Sequence, residues 1–99
     1  MTAANRRTRE FKAQFDRLPT DVQQKAKKVF SILKKDPRHP VLERHFLEDT
    51  PHNPPRSWAV RIDRSYRAVA FSDEEGTNVW YWIGSHADYD RRFSKGRKH

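Results

Sequence analysis

The chain contains no cysteine, which excludes disulfide staples and thiolate metal sites and suits a reducing compartment. Long apolar runs are missing as well. No stretch is long enough to span a bilayer, and Met1-Thr2-Ala3-Ala4-Asn5-Arg6-Arg7 lacks the apolar segment of a secretion signal. A cytoplasmic protein without membrane contact is expected. Acidic residues are in deficit, 13 against 21 lysines and arginines, which leaves a formal charge of +8. An excess of that size points to an anionic partner, nucleic acid first and an acidic protein second. A membrane surface fits less well, because the basic residues are spread along the chain and no amphipathic anchor gathers them.

Ninety-nine residues can bury one modest core, so a single domain over residues 1–99 is expected, with the basic tail Ser94 to His99 fraying from it. Apolar residues make up only 34% of the chain, so the core must draw on its three Trp, three Tyr and six Phe. Phe11, Phe15 and Leu18 recur at helical spacing until Pro19 interrupts them. Thr20 and Gln23 then have the spacing of a capping box for a second helix, whose buried stripe is Val22, Ala26, Val29, Phe30 and Leu33. Asp36-Pro37 ends that helix, because the residue before proline avoids helical backbone.

Beyond Pro40 the period changes to two, weakly over Leu42 to Glu48. Pro51 to Pro55 reads as a stiff loop. Trp58, Val60 and Ile62 then face one way and Ala59 and Arg61 the other. Arg67, Val69 and Phe71 alternate with Tyr66, Ala68 and Ala70, and after a turn at Asp73 to Gly76, Val79, Tyr81 and Ile83 alternate with Trp80 and Trp82. The expected fold class is α+β: two N-terminal helices packed on a twisted antiparallel sheet of about four strands, then a short C-terminal helix or tail. Register decides whether two arginines meet. A three-residue loop Asp63-Arg64-Ser65 sets Arg61 opposite Arg67 on one face, whereas a two-residue loop separates them, and turn chemistry leaves both open.

Four segments carry a family resemblance: Phe11-x-x-x-Phe15-x-x-Leu18-Pro19, Lys34-Lys35-Asp36-Pro37-Arg38-His39-Pro40, the strand pair with Ser57, Val60, Arg61, Tyr66, Arg67 and Ala68, and the ending Trp82-Ile83-Gly84-Ser85-His86-x-x-Tyr89-Asp90. From about Thr8 to Phe93 the chain resembles the RelE/ParE superfamily, the toxins of bacterial type II toxin-antitoxin modules. The resemblance implies a metal-free endoribonuclease that cuts messenger RNA on the ribosome, needs no cofactor and is held by a cognate antitoxin. It also implies that Arg67 is the phosphate-binding arginine and that Arg61 falls where RelE proteins place a lysine. Three positions depart from that pattern: Ala59 replaces the second lysine, His86 stands where an arginine lies near the leaving group, and Tyr89 comes slightly before the C-terminal tyrosine.

Metal-free RNA cleavage requires a group that takes the 2′-OH proton, positive charge on the phosphoryl oxygens and a group that protonates the leaving 5′-oxygen. Histidine suits either proton transfer, and arginines supply the charge. His86 is therefore expected as general acid or base and Tyr89 as its partner or a base-stacking residue, with Arg67 as a catalytic phosphate clamp. Arg61, Arg64 and Arg91 are expected as further RNA contacts. Asp90, four residues after His86, has helical spacing to orient it, while Asp88 suits an ion pair with a following arginine. Trp80 and Trp82 read as core or partner contacts. His39, His45 and His52 lack metal-ligand spacing and receive no role. Two other functions stay open, a ParE-type DNA gyrase inhibitor that performs no chemistry and a decayed relative that only binds nucleic acid, as does self-association.

Overall fold

Thr8 opens the first helix by accepting the Phe11 N–H on its hydroxyl at 3.1 Å, which satisfies a donor left unpaired at a helix start. That helix, α1 (Arg9–Asp16), is followed by α2 (Thr20–Lys35). The computed structural model describes residues 4–47 and 53–93. The expected capping box is absent from α2: Pro19 is the cap, Thr20 is already helical, and the Gln23 amide reaches back to the Phe15 carbonyl at 2.9 Å. Proline presets the backbone angle for helix entry, and Gln23 is spent on closing the end of α1.

Among the described residues five strands form one sheet in the order β1-β5-β4-β3-β2, with β1 Asn5–Arg7, β2 His45–Phe46, β3 Ser57–Asp63, β4 Tyr66–Ser72 and β5 Asn78–Ser85. The first strand was not foreseen. It lies parallel to β5, making the sheet mixed, and it is held by Asn5, whose side-chain oxygen accepts from Trp80 Nε1 at 3.0 Å and from Asn78 Nδ2 at 3.3 Å. The weak strand expected over Leu42 to Glu48 shrinks to two residues. A 3-10 turn occupies Pro40–Leu42, and Glu43 adopts a left-handed backbone (φ 45°) that redirects the chain before β2. Glu48, Pro51, His52 and the tail at 94–99 lie outside the described residues.

Helices α1 and α2 cover one face of the sheet over Trp58, Val60, Ile62, Ala68, Ala70, Trp80 and Ile83, with Phe11, Val22, Ala26, Val29 and Leu33 from the helices. Fully burying a side chain of this kind contributes about 1.5–3 kcal/mol. The indole N–H groups on this face are satisfied, that of Trp58 by Ser72 Oγ at 3.2 Å and that of Trp80 by Asn5 Oδ1. A third helix, α3 (His86–Phe93), closes the opposite face, where Ala59, Val69, Trp82 and Tyr89 are buried. Among the described residues no helix is long and apolar enough to cross a membrane.

Two bulges decide what each face carries. The ladder between β4 and β5 shifts between Val69 and Ala70, pairing Val69 with Trp82 but Ala70 with Trp80. Tyr81 is the extra residue, so the expected alternation fails: Trp80 packs under the helices while Tyr81 and Trp82 both join the α3 side. The second bulge, at Ile62, lies between Arg61 opposite Arg67 and Asp63 opposite Tyr66. Arg64 and Ser65 thus form a two-residue turn, yet the arginines share a face. One extra residue reverses the parity that a two-residue turn alone would impose.

Candidate active site

Arg61 and Arg67 stand on the α3 side of the sheet, each with its own protein partner. Arg61 Nη1 lies 2.7 Å from Glu43 Oε2. Arg67 Nη1 donates to the carbonyls of Asp63 at 2.7 Å and Tyr66 at 3.0 Å, so its guanidinium is folded along the hairpin that carries it. Five donors belong to each guanidinium, so further N–H groups remain to meet an anion. Arg64 is exposed at the hairpin tip, and Arg91, exposed on α3, pairs with Asp88.

The start of α3 is pinned to that hairpin by the His86 N–H, which donates to the Ser65 carbonyl at 2.7 Å, while Ser65 N–H donates to Asp63 Oδ1 at 2.8 Å. Partial burial works to raise the Asp63 pKa, and the Ser65 N–H together with the Lys25 ammonium more than reverse this, leaving it below the ordinary carboxylate value. His86 Nδ1 sits 3.1 Å from Asp90 Oδ2, one helical turn on. A carboxylate accepts, so Nδ1 carries the proton and Nε2 is the atom available for proton transfer.

Tyr89, on the buried side of α3, packs against Trp82 and Phe93 at ring-centroid distances of 6.1 and 5.3 Å and stands 6.0 Å from the His86 ring. Its hydroxyl meets His45 Nε2 at 3.1 Å, across 44 residues of sequence. His45 Nδ1 is 3.2 Å from the Glu43 carbonyl. A carbonyl only accepts, so Nδ1 bears the hydrogen, and in the neutral tautomer that this sets, Nε2 is the acceptor for the Tyr89 O–H. His45 is thereby the residue that sequence reasoning passed over. Its signal was confined to register: it stands opposite Ala59 in the ladder, on the face that Ala59 shares with Tyr89. Ala59 is fully buried there, which gives the departure at this position a physical basis, since a lysine would have to displace α3.

Aromatic packing holds this face in place. Tyr81 donates to Ser57 Oγ at 2.9 Å while Ser57 donates to the Pro54 carbonyl at 2.7 Å. Burial pushes the Tyr81 phenol above its ordinary pKa, against the opposing pull of Ser57 and the Arg92 charge, so it serves as a neutral strut. Trp82 lies across Gly84, and a Cβ at that position would come within 2.9 Å of the indole. Beside these residues a groove of about 660 Å³ runs between the end of α1 and α3, lined in part by Arg17, Tyr66, Trp82, Arg91 and Arg92.

At the level of sequence, no family model and no curated protein matches this chain. Solved structures do. YafQ from E. coli superposes with a TM-score of 0.69 at 11% identity, covering 88% of this chain and 97% of its own. The archaeal RelE–RelB complex from Pyrococcus horikoshii gives 0.65 at 15% identity over 99% and 100%. The YoeB/ParE toxin from Agrobacterium tumefaciens gives 0.66 at 15% identity over 84% and 98%. The chain shares its fold with these YafQ, RelE and YoeB/ParE structures.

Proposed function

We propose that this chain is the toxin of a type II toxin-antitoxin pair and that it cuts messenger RNA on the ribosome. One observation carries the chemistry: the Tyr89 hydroxyl on His45 Nε2, with the His86 ring 6.0 Å from Tyr89 and two arginines on the same side of the sheet. The 2′-oxygen attacks the adjacent phosphorus, the bond to the 5′-oxygen breaks, and the products are a 2′,3′-cyclic phosphate and a 5′-hydroxyl. The 2′-OH proton passes to the Tyr89 oxygen as the Tyr89 proton moves to His45 Nε2. Protonated His86, oriented by Asp90, delivers its Nε2 proton to the 5′-oxygen. Arg61 and Arg67 meet the negative charge that builds on the phosphoryl oxygens. Arg64, beside them at the hairpin tip, and Arg91 on α3 contact flanking phosphates.

The similar RelE from Pyrococcus horikoshii was solved with RelB. An acidic, partly disordered antitoxin segment that folds on binding is the corresponding partner here, covering Arg61, Arg67 and His86. The test is His86→Gln. It is expected to keep the fold and RNA affinity while lowering cleavage by about 10²–10⁴-fold, the size of a general acid or base effect. Primer extension on translating and naked messages reads the outcome, with a gyrase supercoiling assay beside it. Unchanged toxicity together with gyrase inhibition and intact messages would replace this reading with the ParE-type one.

A further inference from the structure

On the far side of β2 from His45, a groove of about 520 Å³ is lined by Pro37, Arg38, His39, Pro40, Glu43, Arg44 and Phe46. These side chains are all exposed, and they set two cations beside an aromatic ring. The Arg44 guanidinium lies 4.1 Å from the centroid of the buried Trp58 ring and 6.0 Å from that of Phe46. Burial, and then the charge of Arg38, hold Arg44 below the ordinary arginine pKa. Among the described residues no carboxylate pairs with either guanidinium, because the Glu43 side chain is taken by Arg61. Phe46, at 67% exposure, presents the most open large apolar side chain among the described residues, directly beside these two cations.

We infer that this groove is a second RNA subsite, which holds a nucleotide flanking the cleaved bond, with its phosphate between Arg38 and Arg44 and its base on Phe46. The inference rests on the ribonuclease reading. Continuity favours this occupant: Arg44, His45 and Phe46 are consecutive, and the pleat sends His45 to the Tyr89 side and Phe46, opposite Trp58, to the other. A single strand crossing the sheet over the Arg61 and Arg67 face would leave it across this edge. An exposed aromatic ring beside paired cations is the usual platform for an unpaired base and its phosphate. A peptide strand is less well served, since β2 offers only two residues of pairing edge and is preceded by the left-handed Glu43.

The test uses the full chain with fluorescent 2′-O-methyl oligonucleotides of mixed sequence, a trimer and an octamer, in which the attacking hydroxyl is blocked so that binding is read alone. Phe46→Ala and Arg38→Ala alter exposed side chains, and circular dichroism confirms their fold. Phe46→Ala is expected to weaken the octamer by about 5- to 160-fold, as loss of a stacked base does, and to leave the trimer unchanged. Arg38→Ala is expected to shrink the slope of log affinity against log salt by about 0.7, one phosphate on a single strand. If both variants bind the octamer as the wild type does while Arg67→Ala weakens it, the subsite is refuted and the ribonuclease reading stands. If Arg67→Ala also has no effect, both fall. Weakened binding of polyglutamate with unchanged octamer binding would assign the groove to an acidic protein and overturn the inference.

Discussion

Replacing Gly84 with alanine is expected to destabilise the protein through one contact. The added Cβ would lie 2.9 and 3.0 Å from two atoms at the far edge of the Trp82 indole. Carbon atoms pack best at about 3.5–4.0 Å, so the ring would have to retreat by about 0.5–1 Å. It has little freedom to do so: Trp82 is 8% exposed, and Phe93 stands edge-on to it at 5.4 Å with Tyr89 at 6.1 Å. Overpacking of this kind costs about 1–3 kcal/mol. For a domain of this length, each kcal/mol lowers Tm by about 4–8 °C, so calorimetry should show a fall of about 4–24 °C. A double-mutant cycle isolates the cause, because with Trp82 replaced by leucine the Gly84→Ala penalty should largely vanish. Because Tyr89 rests on Trp82, RNA cleavage should fall as well, although every residue proposed for the chemistry is retained. A Gly84→Ala protein that melts with the wild type, or a penalty that persists without the indole, would refute the argument.

Glu43→Gln removes the carboxylate that occupies Arg61 but keeps the backbone carbonyl that orients His45. An exposed ion pair contributes about 0.2–1 kcal/mol, so affinity for the octamer should rise by about 1.5- to 5-fold, and the gain should disappear in an Arg61→Ala background. Asp63 has a folded pKa below its unfolded one, so its contribution to stability is present above the ordinary carboxylate range and is lost as pH falls through the folded value. Asp63→Asn should therefore lower urea stability at neutral pH, with the difference closing in acid; a difference independent of pH would contradict this. Asn5→Ala leaves the buried Trp80 N–H without its acceptor, at a cost of about 1–3 kcal/mol. Hydrogen exchange at the Asn78 and Thr8 amides, both bonded between β1 and β5, should then accelerate ahead of the rest of the sheet.

Local patterns were sufficient where the interaction they encode is local. The stripe from Val22 to Leu33, the alternation around Val60 and Val69, and the four-residue step from His86 to Asp90 each depend on backbone period, and the structure has α2, β3, β4 and the 3.1 Å contact at those places. Composition likewise required an aromatic core, which Phe11, Trp58 and Trp80 form. What tertiary structure alone decided was parity and distant pairing. A bulge appears where both faces of a strand must be filled at once, and no window of sequence contains the opposing strand and the helices above it. The bulges at Ile62 and Tyr81 therefore could not be read, though the first brings Arg61 opposite Arg67 and the second parts Trp80 from Trp82. His45 lay in the weak period-two stretch from Leu42 to Glu48, which named no partner for it. It came to Tyr89 because a left-handed Glu43 aims a two-residue strand at the buried Ala59, and only the folded chain places those residues together.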